Sequence, residues 1–311
     1  MMIYRYNEFL ASLGVNVNRP NLFIVGAMKS GTSSLHSLLN QHEKIFMCDP
    51  KEPCHFIDPG ILEQQWPEMW EMGFWRSEEA YLKLFENIGD VLYAGESSTE
   101  YSKMPLMPEV AGRIAKFESK AKILYIMRDP VERCISHYWH MVEHRGEIRP
   151  PRQAFNEDSQ FSEVSDYALQ LKPYFSNFES DQIYTLTFES LKLDALSELN
   201  KICSWLQLSA FSKMPADSSP RNVTPKVLIH PSKSVVIKNV INSDIVQSVK
   251  KFLPRQFINK TKGMIESRVE REKVDMSDVV EMLRKTHLPK VEELSELTGR
   301  SYPEWKILYG R

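Results

Sequence analysis

Four cysteines in 311 residues are too few for a disulfide scaffold, and none stands at metal-ligand spacing such as CxxC. Cys48, Cys54, Cys134 and Cys203 therefore read as free thiols in a reducing compartment, and no metal is expected. Twelve glycines and 18 prolines, with 42% hydrophobic residues, exclude collagen-like and disordered chains. Long apolar runs are missing: Ile123 to Met127 is typical in length, far short of the roughly 20 residues that span a bilayer. The N-terminus also lacks an export signal, because Tyr4, Arg5, Tyr6, Asn7 and Glu8 interrupt it. A cytoplasmic protein with no membrane partner is expected. An excess of one charge is absent too, with 39 Lys+Arg against 41 Asp+Glu and a net charge of −2. That balance excludes the broad basic footprint of a nucleic-acid binder and points to a small anion, if any.

What is present is an alternation of strands and helices. Leu22 to Val25 is a short apolar run stopped by Gly26, and Leu35, Leu38 and Leu39 follow at helical spacing. Lys122 to Met127 repeats the theme, with Asp129 as N-cap, Pro130 at the first helical position and Glu132 as capping-box partner. Ile183 to Phe188 predicts a third strand, followed by a helix from about Asp194 to Leu206. Such alternation predicts an α/β fold of three layers, a central parallel sheet flanked by helices. Pro150 to Ser165 reads as a surface excursion, and Ser209 to Ser234 is rich in Pro and Ser. The chain reads as a single domain over 1–311, with 1–19 as an N-terminal extension and 277–311 as a docked C-terminal helix. No repeat is visible.

Two segments carry chemistry. Gly26-Ala27-Met28-Lys29-Ser30-Gly31-Thr32-Ser33 joins the first strand to its helix and suits an anion, because unpaired backbone N–H groups and the helix dipole meet there. It is not a Walker A loop, since Thr32 stands where Lys must follow the second glycine. The plainer reading is a tight turn with a solvated lysine. Arg128-Asp129-Pro130-Val131-Glu132-Arg133-Cys134-Ile135-Ser136 follows the second strand, where open α/β sheets bind ligands, and an Arg fork with a hydroxyl suits a second phosphate. Here the plainer reading is ordinary capping, with Arg133 a surface charge.

Together these segments resemble the nucleotide-binding signatures of sulfotransferases that use 3′-phosphoadenosine 5′-phosphosulfate (PAPS). The resemblance extends to Pro50–Phe56, Gly95–Tyr101, Ile183–Asp194 and Leu297–Arg300, in the family's order, and is closest to the branch of bacterial small-molecule and heparan-modifying enzymes. It implies a P-loop-like fold and a PAPS-dependent enzyme that moves a sulfuryl group to a hydroxyl, or as second choice an amine, of a small molecule, a secondary metabolite by analogy. PAP is the implied product. By the same resemblance Lys29, Ser30, Gly31, Thr32 and Ser33 hold the 5′ end, Arg128 and Ser136 hold the 3′-phosphate, and Asn222, Thr224 and Lys226 lie on a closing loop. Glu52 matches the position of the family's base, and Glu96 and Ser97 fall on the acceptor side. Two positions depart from the pattern: Cys54 stands where a histidine is common, with His55 after it, and Ser97 replaces a lysine. His55 is thus either a second base candidate or a packed ring.

The chemistry of sulfuryl transfer agrees with these assignments. A cation at the leaving oxygen and a base for the acceptor proton suffice, without a metal. Trp66 and Trp70 lie in an acidic stretch from Asp58 to Ala80, which suits a cationic acceptor through cation–π contact; the plainer reading is a helix with a solvated acidic face. The competing functions are a P-loop kinase or hydrolase, disfavoured by the missing Gly-Lys-Ser/Thr, and a non-catalytic PAP-binding protein. The sequence sets no oligomeric state.

Overall fold

Strand β1 (Leu22–Gly26) is buried at every position, as a strand covered on both faces must be. Its side chains alternate between two cores: Phe23 and Val25 join one cluster, Leu22 and Ile24 the other. In this computed structural model, which describes residues 19–215, 225, 227–231 and 266–311, four more strands extend the sheet. They are β2 (Ile45–Met47), β3 (Tyr93–Ser97), β4 (Lys122–Met127) and β5 (Ile183–Thr187), all parallel, in the order β2-β3-β1-β4-β5. Leu22 lies opposite Gly95 on one side and Lys122 on the other. The chain leaves β1 to one side for β2 and β3, then crosses to the other for β4 and β5. The strand order therefore reverses beside β1 and β4, the strands that carry the two motifs.

Helices cover both faces, as expected. Helix α1 (Thr32–Leu39) follows β1 and buries Leu35, Leu38 and Leu39. Short helices α2 (Pro59–Gln65), α3 (Pro67–Met72) and α4 (Glu78–Leu82) lie between β2 and β3, and α5 (Val110–Phe117) precedes β4. Then come α6 (Pro130–His140), α7 (Pro151–Glu157), α8 (Gln160–Glu163) and α9 (Tyr167–Asn177), with α10 (Phe188–Leu193) and α11 (Ala195–Trp205) after β5. An antiparallel pair, β6 (Val227–Pro231) and β7 (Glu266–Glu270), stands apart from the main sheet. Helix α12 (Ser277–Thr298) packs on α6 and α9 through Val279, Leu283, Val291 and Leu294, and α13 (Lys306–Tyr309) closes the described chain. No helix among the described residues is long and apolar enough to cross a membrane.

Two local expectations fail for physical reasons. Residues 150–165 are not a surface excursion, because α7 and α8 bury Ala154, Phe155 and Phe161 in the larger core. The capping box at α6 is half formed. Asp129 accepts from the amides of Val131 and Glu132, at 3.0 and 3.3 Å, but Glu132 turns to Arg128, and the Asp129 amide donates to Glu189 Oε1 at 2.9 Å. Asp129 also accepts from the Leu308 amide at 2.9 Å, fixing the C-terminal segment to the start of α6.

Candidate active site

The loop after β1 owes its shape to its glycines. A Cβ on Gly26 would lie 2.1 Å from Ser102 Oγ, and one on Gly31 2.6 Å from the Phe188 ring. Gly31 is the N-cap of α1 at φ +93°, and no side chain caps that helix. Ser30 is fully buried and its hydroxyl has no partner among the described residues. An uncapped helix start beside an orphaned hydroxyl is chemically suited to phosphate oxygens, so the residues fit an anionic nucleotide.

Cations crowd this turn. Burial pushes the Lys29 ammonium below its ordinary pKa, and Arg128, Arg271 and Arg133 push the same way against Glu143. Arg128 pairs with Glu132 at 3.0 Å and lies 5.3 Å over the Phe188 ring. Phe188 thus touches both Gly31 and Arg128, which brings the two motifs together. Thr32 is buried and Ser33 half-buried on the first turn of α1, and Ser136 is half-buried on the second turn of α6. Arg133 is not on the surface but fully enclosed, donating to Phe161 O at 2.5 Å and to Ser165 Oγ. Among the described residues no carboxylate lies within ion-pair distance of it. Asn222, Thr224 and Lys226 lie outside the described residues.

Glu52 sits on the loop after β2. Lys51 pairs with it at 2.5 Å, Thr99 Oγ1 lies 3.3 Å from its Oε1, and its amide donates to Ser97 O at 3.0 Å. Lys29, Glu52 and Cys54, at φ +66°, +64° and +54°, are three of only five non-glycine residues with positive φ among the described residues. Backbone strain is therefore concentrated at the site. Ser97 also shares a 2.8 Å hydrogen bond with His36 Nδ1, so one residue links α1 to the Glu52 backbone.

Other predicted residues are placed differently. Glu96 is fully enclosed and accepts from the hydroxyls of Tyr81, Ser98 and Tyr101 at 2.7–2.8 Å, while burial pushes its carboxyl up to about 7. It offers no surface to an acceptor. Of the two readings of His55, the packed ring is the one seen. The imidazole stacks on Tyr81 at 4.3 Å, its Nδ1 bonds Phe74 O at 2.7 Å, and burial lowers its pKa. Trp70 stacks on Trp75 at 3.7 Å, and Trp66 already carries the Lys103 ammonium at 4.7 Å from its ring centre. In the acidic stretch Asp58 caps α2, Glu78 pairs with Arg19 and Glu68 with Arg145.

Sequence reasoning missed Glu100, Lys103, Arg133, His140 and Arg271. Lys103 bridges regions, lying 3.7 Å from Glu100 and donating to Met28 Sδ at 3.6 Å. His140 is held neutral, pushed down to about 3 by burial and then by Lys29 and neighbouring groups. It ends α6, where the helix passes into a π turn, Met141–Arg145, a local unwinding often found beside functional sites. The positions of Glu100 within Gly95–Tyr101 and of Arg133 within Arg128–Ser136 were the signals available in the sequence.

Residues 20–213 match the model of the sulfotransferase family. Over 204 residues the chain is 23% identical to a bifunctional heparan sulfate N-deacetylase/N-sulfotransferase 1 of Caenorhabditis elegans, covering 62% of this chain and 22% of that protein. It is 25% identical to the mouse (Mus musculus) heparan sulfate glucosamine 3-O-sulfotransferase 3B1 over 199 residues, 61% of this chain and 46% of that one. The chain thus spans less than half the length of these two curated relatives. The crystal structure of a sulfotransferase from Alicyclobacillus acidocaldarius superposes with a TM-score of 0.68 at 26% identity, covering 93% of this chain and all of the other.

Proposed function

The chain belongs to the sulfotransferase family, and on that premise we propose that it moves a sulfuryl group from PAPS to a hydroxyl of a small molecule. The observation that carries this reading is the crowding of Lys29, Arg128, Arg133 and Arg271 around the uncapped start of α1. When bound, PAPS supplies an activated sulfuryl group on its 5′-phosphate. Lys29 and the first-turn amides of α1 set a positive potential where charge develops on a leaving oxygen. Ser30 and Ser33 add hydroxyl donors at the same turn, and Arg128 with Ser136 holds the second phosphate. Glu52 takes the proton of the acceptor hydroxyl, with Lys51 orienting its carboxylate. The acceptor need not be cationic, since Lys103 already lies over one face of Trp66 and Trp75 over one face of Trp70.

A nucleotide titration tests the donor. PAP is expected to raise the melting temperature without Mg²⁺, and ATP is not. If ATP with Mg²⁺ stabilises the protein and PAP does nothing, the reading is wrong. A PAPS-dependent turnover screen over hydroxyl- and amine-bearing small molecules then identifies the acceptor and separates an enzyme from a PAP-binding protein.

A further inference from the structure

Behind Glu52 lies a second carboxylate. Thr99 Oγ1 stands 3.3 Å from Glu52 Oε1 and 3.3 and 3.2 Å from the two carboxylate oxygens of Glu100. A hydroxyl has one hydrogen and two lone pairs, so it can accept from one carboxyl while donating to the other. Thr99 and Glu100 are 5% and 4% exposed, which keeps bulk water from replacing either contact. The two carboxylates come from different segments, after β2 and after β3, and this hydroxyl stands between them. The other groups facing Glu100 are Lys103 at 3.7 Å and the Cys54 thiol at 3.9 Å, while Lys51 holds Glu52. Burial and the charge of Glu52 raise the Glu100 pKa above the ordinary carboxylate value, against Lys103 and Lys51. Glu100 therefore holds a proton more readily than an ordinary carboxylate does, and it lies one hydroxyl away from Glu52.

We propose that Thr99 and Glu100 form a proton relay that clears Glu52 after each transfer. This rests on Glu52 being the base. The acceptor O–H bond breaks as a Glu52 O–H bond forms. Glu52 then gives that proton to Thr99 Oγ1 while Thr99 passes its own to Glu100. Glu52 ends ionised, the hydroxyl is intact, and one proton has moved from acceptor to Glu100; it returns through Thr99 to Glu52, the more exposed carboxylate, and so to solvent once product has left.

The test uses the full chain with water as acceptor, read as PAP and sulfate released from PAPS. Thr99→Val and Glu100→Gln are expected to slow release about tenfold, and Thr99→Ser to stay within about twofold of the parent protein. Glu100→Gln removes a negative charge beside Glu52 and moves the acid limb of the pH–rate profile downward whether or not protons pass, so the deciding variant is Thr99→Val, which keeps both charges and is expected to be slow with the acid limb in place. A ¹³C-carboxyl titration of the protein without nucleotide is an independent readout. Glu52 and Glu100 are expected to titrate as a coupled pair, and Glu52 alone in a single step in Glu100→Gln. Full rate in Thr99→Val with a slow Glu52→Gln, or uncoupled titration, overturns the relay and leaves the base standing. An unslowed Glu52→Gln instead removes the base reading itself.

Discussion

The two halves of the site treat their polar groups in opposite ways. On the nucleotide side, Ser30 is buried without a partner among the described residues, α1 starts uncapped, and Lys29 has three arginines as well as Glu143 near it. On the acceptor side Glu96 takes three hydroxyls, Lys51 takes Glu52, Lys103 takes Glu100 and Trp70 takes Trp75. One half leaves a buried hydroxyl and a helix start open to an anion; the other closes its polar groups on one another. The contrast explains why the donor can be read from the protein while the acceptor cannot: recognition is legible where the protein leaves a deficit, and the acceptor half leaves little.

Substitutions can break that contrast or sharpen it. Glu52→Gln is expected to have the largest effect, lowering turnover about a thousandfold while PAP still raises the melting temperature as in the parent protein. Unchanged turnover would put the base elsewhere. Lys29→Ala should lower turnover by about a hundredfold, on the order of 3 kcal/mol of charge stabilisation, measured at saturating PAPS. Arg128→Ala should weaken PAP about tenfold by calorimetry and leave saturated turnover nearly unchanged; a loss confined to turnover would move it to the other half.

The self-satisfied half should show in stability rather than in rate. Glu96 holds its proton more tightly folded than unfolded, with its carboxyl pushed from 4.5 to about 7. Its contribution is therefore greatest at the acid end of that window and is lost as pH rises towards 7, by roughly 3 kcal/mol at most. Melting temperatures between pH 5 and 8 should fall with pH, and Glu96→Gln should flatten that slope. Smallest is Trp70→Ala, expected to cost about 1–2 kcal/mol of stability without changing the acceptor KM. A raised KM would restore Trp70 to the acceptor site.

Much of the fold was legible because buried parallel strands and their caps are local patterns. Leu22–Gly26, Lys122–Met127 and the Asp129–Pro130 helix start follow from neighbouring residues alone. The phosphate-type loop was legible for the same reason. What escaped depended on pairings between distant segments. Nothing near Arg133 reveals that Phe161 and Ser165 will enclose it, and nothing near Glu132 reveals that Glu189 will take its place at the Asp129 amide. His55 illustrates the same limit, since only Tyr81 and Phe74 decide that it packs as a ring.

Ser97 gives the two halves a common datum. Its hydroxyl meets His36 of the helix that presents the donor loop, and its carbonyl takes the Glu52 amide. The long crossover between α1 and β3 therefore does not have to hold α1 and Glu52 in place by itself, because each is bonded to the same strand end. Two hydrogen bonds on a single serine thus tie both segments to the end of β3.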